Sequence, residues 1–430
     1  MATETWSARA GAAPAASAPV GRRLLAPKRA HSLVEHLEWY GDLAEAGPGL
    51  LAEIERSGLR GKGGARFPTA TKLAAVASRR RAVVVANGSE GEPSSLKDAV
   101  LMTRAPHLVL DGATLAAEIV GAREVIVVIK RGSPAQPILE RAITERESYG
   151  YDSVLIRVVS GPCRYVAGEE TAIVNWLNGG DAKPAFVPPR PFERGVDGRP
   201  TLVQNVETLC DIALIARFGS DWFRAAGTAD EPGTTLVTLS GGVERPGVYE
   251  IPLGARLSDV VGMAGGECSD LSAILVGGYF GAWIPATRAA QTQLSVGALQ
   301  RGGGGLGAGI IVAMPKQGFC GLADSARVAR WLADENAGQC GPCVNGLDAI
   351  AGAMATLVSG DRNKRAEAKL ALWVSQMKGR GACKHPDGVA RFVATSIEVF
   401  SEEIQKHRQH GPCRDTPNVL MPTPRTGGWR

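Results

Sequence analysis

Three runs of branched apolar residues constrain this chain more than any other feature. Val83-Val84-Val85, Val125-Ile126-Val127-Val128-Ile129 and Val154-Leu155-Ile156-Arg157-Val158-Val159 read as buried strands, and helix-length segments separate them. That alternation is the signature of an α/β domain, here over residues 46–232. The texture then changes. Residues 233–315 hold short strands and turns, as in Thr235-Leu236-Val237-Thr238-Leu239 ahead of Gly241-Gly242, and predict a small β-rich domain. Over residues 316–410 the period becomes 3.6: Leu347, Ile350, Met354 and Leu357 share one face, and Val389, Phe392, Val393, Val399 and Phe400 another. Four helix-length segments there predict a closing bundle. Three domains suit a chain of 430 residues.

The flanks read differently. The first 30 residues are rich in Ala, Pro and Ser with scattered arginines and no apolar signal core, so residues 1–45 are expected to be a flexible tail and linker. An Arg-rich, acid-poor transit peptide has a similar composition. Pro412, Pro417, Pro422 and Pro424 predict a disordered tail over 411–430. The formal charge of +5 also belongs to the ends: residues 1–30 and 404–430 each carry five basic residues against one acid. The body between them is slightly acidic, which argues against nucleic acid as a partner. No run of about 18 apolar residues is present, so no segment is expected to span a membrane.

Glycine is in excess, at 54 of 430 residues, against a usual share of about 7%. Its densest segment is Gly58-Leu59-Arg60-Gly61-Lys62-Gly63-Gly64-Ala65-Arg66-Phe67-Pro68-Thr69. Successive glycines let backbone amides face an anion, although surface loops are also glycine-rich; no Gly-Lys-Ser/Thr closes a Walker A. Three polar clusters follow: Asn87-Gly88-Ser89-Glu90-Gly91-Glu92-Pro93 directly after a strand, Gly168-Glu169-Glu170-Thr171, and Gly198 through Thr208 ahead of a helix. Taken singly, each acidic pair suits the first turn of a helix.

Taken together and in this order, the four segments resemble the flavin- and NADH-binding subunit of respiratory complex I and the related flavin subunits of NAD-linked formate dehydrogenases and hydrogenases. The resemblance spans roughly residues 46–405. It implies a Rossmann-like FMN-binding α/β domain, a ubiquitin-like β-grasp insert and a C-terminal four-helix iron–sulfur bundle. It implies that Gly61, Gly63, Gly64 and Lys72 hold FMN with Asn87, Glu90, Tyr165, Gly168, Glu169, Asn205 and Thr208. Phe67, Glu92 and Glu170 would lie on the nicotinamide-nucleotide side. The implied activity is NADH dehydrogenase-like: NAD(P)H gives up hydride to FMN, and electrons leave through an iron–sulfur cluster to a ferredoxin-like or other electron-transfer subunit. The flavin does the hard chemistry, so no catalytic side chain is assigned.

Several positions depart from the family pattern. Arg66 stands where the family loop keeps a glycine, which predicts a clash with cofactor, a strained backbone, or a contact to the 2′-phosphate of NADP. Ser89 replaces an aspartate, Leu73 a tryptophan, Ala75 a phenylalanine, and Arg190 another aromatic. The flavin side is retained while the nucleotide clamp is thinned.

The eight cysteines are irregularly spaced, which is no disulfide framework and favours a reducing, cytoplasmic location. Cys340-Gly341-Pro342-Cys343 has three readings: a thioredoxin-type dithiol without the usual leading strand, half of a zinc site completed by Cys383 and His385, or an iron–sulfur site. The family run is Cys-x2-Cys-x2-Cys with a fourth cysteine some 40 residues on; here Ala337 takes the first place. By resemblance Cys340, Cys343 and Cys383 therefore hold a 4Fe–4S cluster with an open or substituted fourth iron, or a 3Fe–4S cluster, with Cys413, Cys320 or His385 available as a distant fourth ligand. Two rivals stand beside this function: a degenerate scaffold that keeps the fold without catalysis, and a thiol–disulfide reductase using Cys340 and Cys343.

Overall fold

The computed structural model describes residues 23–25, 32–42, 46–413, 416–420 and 427–430. The first sheet holds β1 (Val83–Gly88), β2 (Glu124–Lys130), β3 (Leu155–Gly161) and β4 (Thr201–Asn205) in the order β3-β2-β1-β4. All its pairings are parallel, with Val85 opposite Ile126 on one side and Val203 on the other. Helices α1 (Leu33–Tyr40), α2 (Leu50–Ser57) and α3 (Thr69–Ala77) precede the sheet. Crossovers are then made by α4 (Lys97–Arg104) and α5 (Pro106–Val120), by α6 (Ala135–Ser148), and by α7 (Glu170–Leu177); α8 (Val206–Arg224) follows β4.

The apolar strands are buried on both faces. Val84, Ala86, Val125 and Val127 pack towards α5 and α8, while Val83, Val85, Ile126 and Val128 pack towards Ile173 and Val174 of α7. Helix α5 starts on Pro106, ends at the left-handed Gly121, and is buried almost all round. A side chain at Gly112 would collide with the Leu209 carbonyl, so the backbones of α5 and α8 touch there. Strand β4 was not apparent as a strand in the sequence, because its Thr201 and Gln204 break the apolar run although both are buried.

The second sheet comprises β5 (Thr234–Gly241), β6 (Gly247–Pro252), β7 (Leu271–Val276), β8 (Ala282–Pro285) and β9 (Ile310–Pro315), in the order β6-β5-β9-β7-β8. Only β5 and β9 run parallel. Helices α9 (Leu257–Met263) and α10 (Val296–Arg301) complete this mixed, β-grasp-like unit. Strand alternation again serves two cores: Ile274, Val276, Ile311 and Ala313 face α9, whereas Ala273, Leu275, Ile310 and Val312 face the C-terminal helices.

Those helices are α11 (Gly321–Asp334), α12 (Leu347–Val358), α13 (Arg365–Met377) and α14 (His385–Val399), with a shorter α15 (Ser401–His410) beside the expected four. The described parts of the flanks are ordered, contrary to the tails expected from composition. The amides of Arg23, Leu24 and Leu25 all donate to Glu250 Oε2, and Leu24 is fully buried. Helix α1 docks through His36 Nε2, 2.7 Å from Asp111 Oδ2. At the other end, Val419 and Leu420 donate to Asp324 Oδ2, and Trp429 stacks on the Arg164 guanidinium at 4.1 Å. Apolar anchors too sparse to show periodicity hold these segments. The rest of both tails lies outside the described residues.

Candidate functional site

In the first sheet the chain order reverses between β1 and β4, and open parallel sheets bind ligands at the carboxyl ends of strands beside such a reversal. Asn87 lies at the end of β1 and Asn205 ends β4, paired across that gap. Asn87 Nδ2 donates to the Gly168 carbonyl at 2.9 Å, and its Oδ1 accepts from Ser89 N at 3.0 Å. Asn205 caps α8 through the Glu207 amide and donates to Asp98 Oδ2 at 2.8 Å.

Beneath the asparagines lies a charged group that sequence reasoning missed. The Lys97 ammonium sits 2.6 Å from Asp98 Oδ1 and 2.8 Å from Glu207 Oε2, and all three side chains are buried. Burial opposes the ammonium charge, but the two carboxylates outweigh it and hold the Lys97 pKa above its ordinary value. Glu90 caps α4 through the amides of Asp98 and Ala99, and burial together with Asp98 pushes its carboxyl up. The signal was present in the sequence as Lys97-Asp98 closely following Glu90 and Glu92.

The glycine-rich loop crosses above this floor. It closes on itself through Gly61 N to Phe67 O at 2.9 Å and Thr69 N to Leu59 O at 3.0 Å. Thr208 is buried and accepts from Lys62 N at 2.9 Å, so it anchors the loop from below. Lys62 turns inward to the Thr234 carbonyl and Asp211 and offers no charge to a ligand. A Cβ at Gly61 or Gly63 would make only ordinary contacts, at 3.6 and 3.5 Å, so nothing within the protein requires these positions to be bare. A bound group over the loop would require it, and FMN fits that cradle. Gly64 faces Gly307 across the domain boundary, and Gly305 and Gly307 crowd Gly277. Part of the glycine-rich stretch before β9 thus lets the β-grasp unit approach the loop.

Arg66 adopts φ +50°, the strained conformation expected of a non-glycine there. Its guanidinium lies largely buried, 3.4 Å from Glu231. Leu73 is fully buried in the core, so its position forms no clamp. Phe67 remains 51% exposed at the loop's edge and offers a face for stacking.

Gly168 allows the second side of the pocket to form: a Cβ there would lie 2.6 Å from the Ser89 carbonyl oxygen. Glu169 then caps α7, accepting from Thr171 N and Ala172 N, and burial pushes its carboxyl up. Glu170 is half-buried and pairs with Lys72 at 2.8 Å. Glu92 is buried deeper, accepting from the Tyr165 hydroxyl at 2.8 Å and the Tyr279 amide at 3.3 Å. Burial pushes its pKa up to about 8, which leaves it protonated near neutrality.

Tyr165 also reaches the helical domain. Its ring meets Phe280, Trp331 and His385 edge-on at 4.8, 5.3 and 5.8 Å, while its amide and the Arg164 guanidinium both bind Glu335. Beyond this joint, Cys340 and Cys343 open the turn into α12, and Cys383 precedes α14, so the sulfurs stand near helix N-termini that favour anionic groups. Burial and then Cys340 push the Cys343 thiol up to about 12, and burial, with Glu169 adding, raises Cys383.

The zinc reading finds no preformed tetrahedral site among these cysteines. A tetrahedral zinc holds its sulfurs within about 3.8 Å of one another, yet among the described residues the one group of three such ligand atoms lying within 4.8 Å does not include these cysteines. His385 is buried, and its Nε2 is taken up by the Leu332 carbonyl at 2.9 Å. Burial pushes its pKa down to about 4, which leaves the ring neutral. Cys340 and Cys343 lie within hydrogen-bonding reach of each other. Cys320 caps the far end of α11 and joins Cys413 elsewhere, so neither supplies a fourth ligand.

Three family profiles match the chain: the Nuo51 FMN-binding domain over residues 54–214, the SLBB domain over 236–273, and the NADH-ubiquinone oxidoreductase-F iron-sulfur binding region over 323–407. The chain is 32% identical over 393 residues to the second F-type NADH-quinone oxidoreductase subunit of Rhizobium meliloti (strain 1021), covering 86% of this chain and 91% of that one. It is 30% identical over 398 residues to the F-type NADH-quinone oxidoreductase subunit of Mycobacterium tuberculosis (strain ATCC 25618 / H37Rv), covering 86% and 87%. Its fold matches a chain of the NAD+-reducing [NiFe]-hydrogenase in the H2-reduced state, with a TM-score of 0.79 and 30% identity over 90% of this chain and 68% of that chain. With its glycine cradle, paired asparagines and cysteine-bearing bundle, the chain belongs to the family of F-type NADH-quinone oxidoreductase subunits.

Proposed function

We propose that this chain is the NADH-oxidising flavo-iron–sulfur component of an electron-transfer assembly. The supporting observation is the single turn at Tyr165, which touches the flavin pocket through Glu92 and the iron–sulfur helices through His385. FMN held here would supply the conversion of hydride chemistry at the nicotinamide into single-electron transfer.

The protein's part is to bind and orient. Gly61, Gly63 and Gly64 give the cofactor a bare backbone surface, Lys72 lies at its edge, and Asn87, Glu90, Asn205 and Thr208 fix the floor. Gly168 and Glu169 form the opposite wall, while Phe67, Glu92 and Glu170 border the nucleotide side. Glu92 keeps its proton near neutrality. Cys340, Cys343 and Cys383 hold the cluster on the far side of Tyr165. NADH is the favoured donor, because Arg66 is occupied by Glu231. The acceptor is a ferredoxin-like or other electron-transfer subunit. No helix among the described residues is long and apolar enough to cross a membrane.

The test is an anaerobic preparation assayed for flavin and iron, then titrated with NADH and NADPH. Bleaching of the flavin bands by NADH in preference to NADPH is expected. Flavin that stays oxidised under NADH would favour the scaffold reading, and a protein that retains neither flavin nor iron would refute both cofactor assignments.

A further inference from the structure

A second group of metal-binding side chains lies outside the flavin and cluster region. Cys320 caps the N-terminus of α11, where its Sγ accepts from the Ala323 amide at 3.4 Å, and it is 2% exposed. On α15, Glu403 and His407 stand one turn apart and face it. Cys320 Sγ lies 3.3 Å from Glu403 Oε2 and 3.5 Å from His407 Nε2. After α15 the chain reverses at Gly411, with φ +84°, and returns Cys413 to the same point, its Sγ 3.1 Å from His407 Nε2. The three donor atoms of Cys320, His407 and Cys413 all lie within 4.8 Å of one another.

Those separations have the dimensions of a coordination tetrahedron. With Zn–S about 2.3 Å and Zn–N about 2.0–2.1 Å, a tetrahedral ion holds sulfur and nitrogen about 3.6 Å apart and two sulfurs about 3.8 Å apart. The Cys413 amide donates to His407 Nε2 at 3.4 Å, which places the ring proton on the buried Nδ1; an entering ion would take over that one Nε2 lone pair from the long amide contact. Two thiolates and an imidazole are a donor set for zinc rather than for calcium or magnesium.

We propose that Cys320, His407 and Cys413 bind one zinc ion, with Glu403 beside the fourth position. Binding of Zn2+ forms two Zn–S bonds and one Zn–N bond and releases the two thiol protons to solvent, with no change in oxidation state. The site is independent of the iron–sulfur cysteines. Cys320 is at the start of α11 and the Cys340 turn follows its other end, and a helix of 14 residues spans about 21 Å. The ion's work is structural. It ties the segment beyond α15 to the start of α11, where Val419 and Leu420 then dock on Asp324 and Leu420 is 1% exposed.

The test is metal analysis of the full chain purified anaerobically from zinc-supplied cells. The expected result is about one zinc per chain, retained in C340S while iron falls, and lost in C413S and H407A while flavin and iron are kept. Cys413 is exposed, so C413S is expected to fold as wild type does, with an unchanged elution volume. Cobalt(II) added to zinc-free protein should give a thiolate-to-metal charge-transfer band that C413S lacks. Protein that takes up neither zinc nor cobalt overturns the proposal. So does zinc that disappears in C340S, or a Cys320–Cys413 disulfide found by peptide mapping of protein kept free of oxidant.

Discussion

The Tyr165 hydroxyl donates to Glu92 Oε2 at 2.8 Å while the same ring packs edge-on against His385 at 5.8 Å. One side chain therefore joins an acid of the nucleotide side to a helix that begins two residues beyond Cys383. The Arg164 guanidinium reinforces the joint by pairing with Glu335 at 2.8 Å, two residues before Ala337. The turn at Arg164 and Tyr165 thus ties Glu92 of the α/β domain to Glu335 and His385 of the helical domain.

Glu92 gives a pH prediction. Burial raises its folded-state pKa to about 8 from an ordinary 4.5, so the folded protein binds the proton more tightly than the unfolded chain does. The resulting stabilisation is complete below pH 4.5, declines as pH rises through that window, and is gone above about pH 8. Its full size is a few kcal/mol. Denaturant unfolding of wild type and E92Q at pH 6 and pH 8.5 should show a loss in wild type that the glutamine removes. Parallel pH profiles would refute the assignment.

Gly168 gives a binding prediction. A methyl group there meets the Ser89 carbonyl at 2.6 Å and must push the two walls of the pocket apart. G168A should cost about 1–3 kcal/mol of stability and weaken FMN at least about tenfold, equivalent to about 1.4 kcal/mol. Flavin fluorescence titration of the apoprotein measures this, and wild-type affinity would remove Gly168 from the pocket.

The sequence carried much of this. Three apolar strands announced themselves because both faces of the sheet are buried, and the glycine and cysteine runs marked the two ends of the site. β4 was hidden because an edge strand with Thr201 and Gln204 looks like a polar loop until its partner Asn87 is known. Lys97 was hidden for a related reason: a lysine next to an aspartate reads as a solvated pair, and only the approach of Glu207 from a helix some 110 residues away makes it a buried charge. The docking of the described segments 23–25 and 427–430 was not legible because single anchors such as Leu24 and Trp429 leave no periodic trace.

Arg66 separates strain from recognition. Its φ of +50° costs a non-glycine residue about 1–2 kcal/mol, and its contact to Glu231 at 3.4 Å is a long one. R66G should therefore stabilise the protein slightly or leave it unchanged, and the NADH-to-NADPH preference should not move. A variant that gains NADH activity while losing NADPH activity would show that Arg66 reads the 2′-phosphate after all.

Ala337 offers the converse experiment at the cluster. It is 7% exposed, three residues ahead of Cys340 and close to Glu335, which the Arg164 guanidinium holds in place. With Cys340, Cys343 and Cys383 as the ligands, one iron of a four-iron cluster has no protein thiolate, and such an iron is the first to leave in air. A thiolate supplied from position 337 would close that coordination without disturbing the other three. A337C should raise iron towards about four per chain and slow the aerobic loss of cluster absorbance several-fold, with flavin content unchanged. Iron content and bleaching rate identical to wild type would mean that position 337 does not face the cluster, and that another residue already completes it.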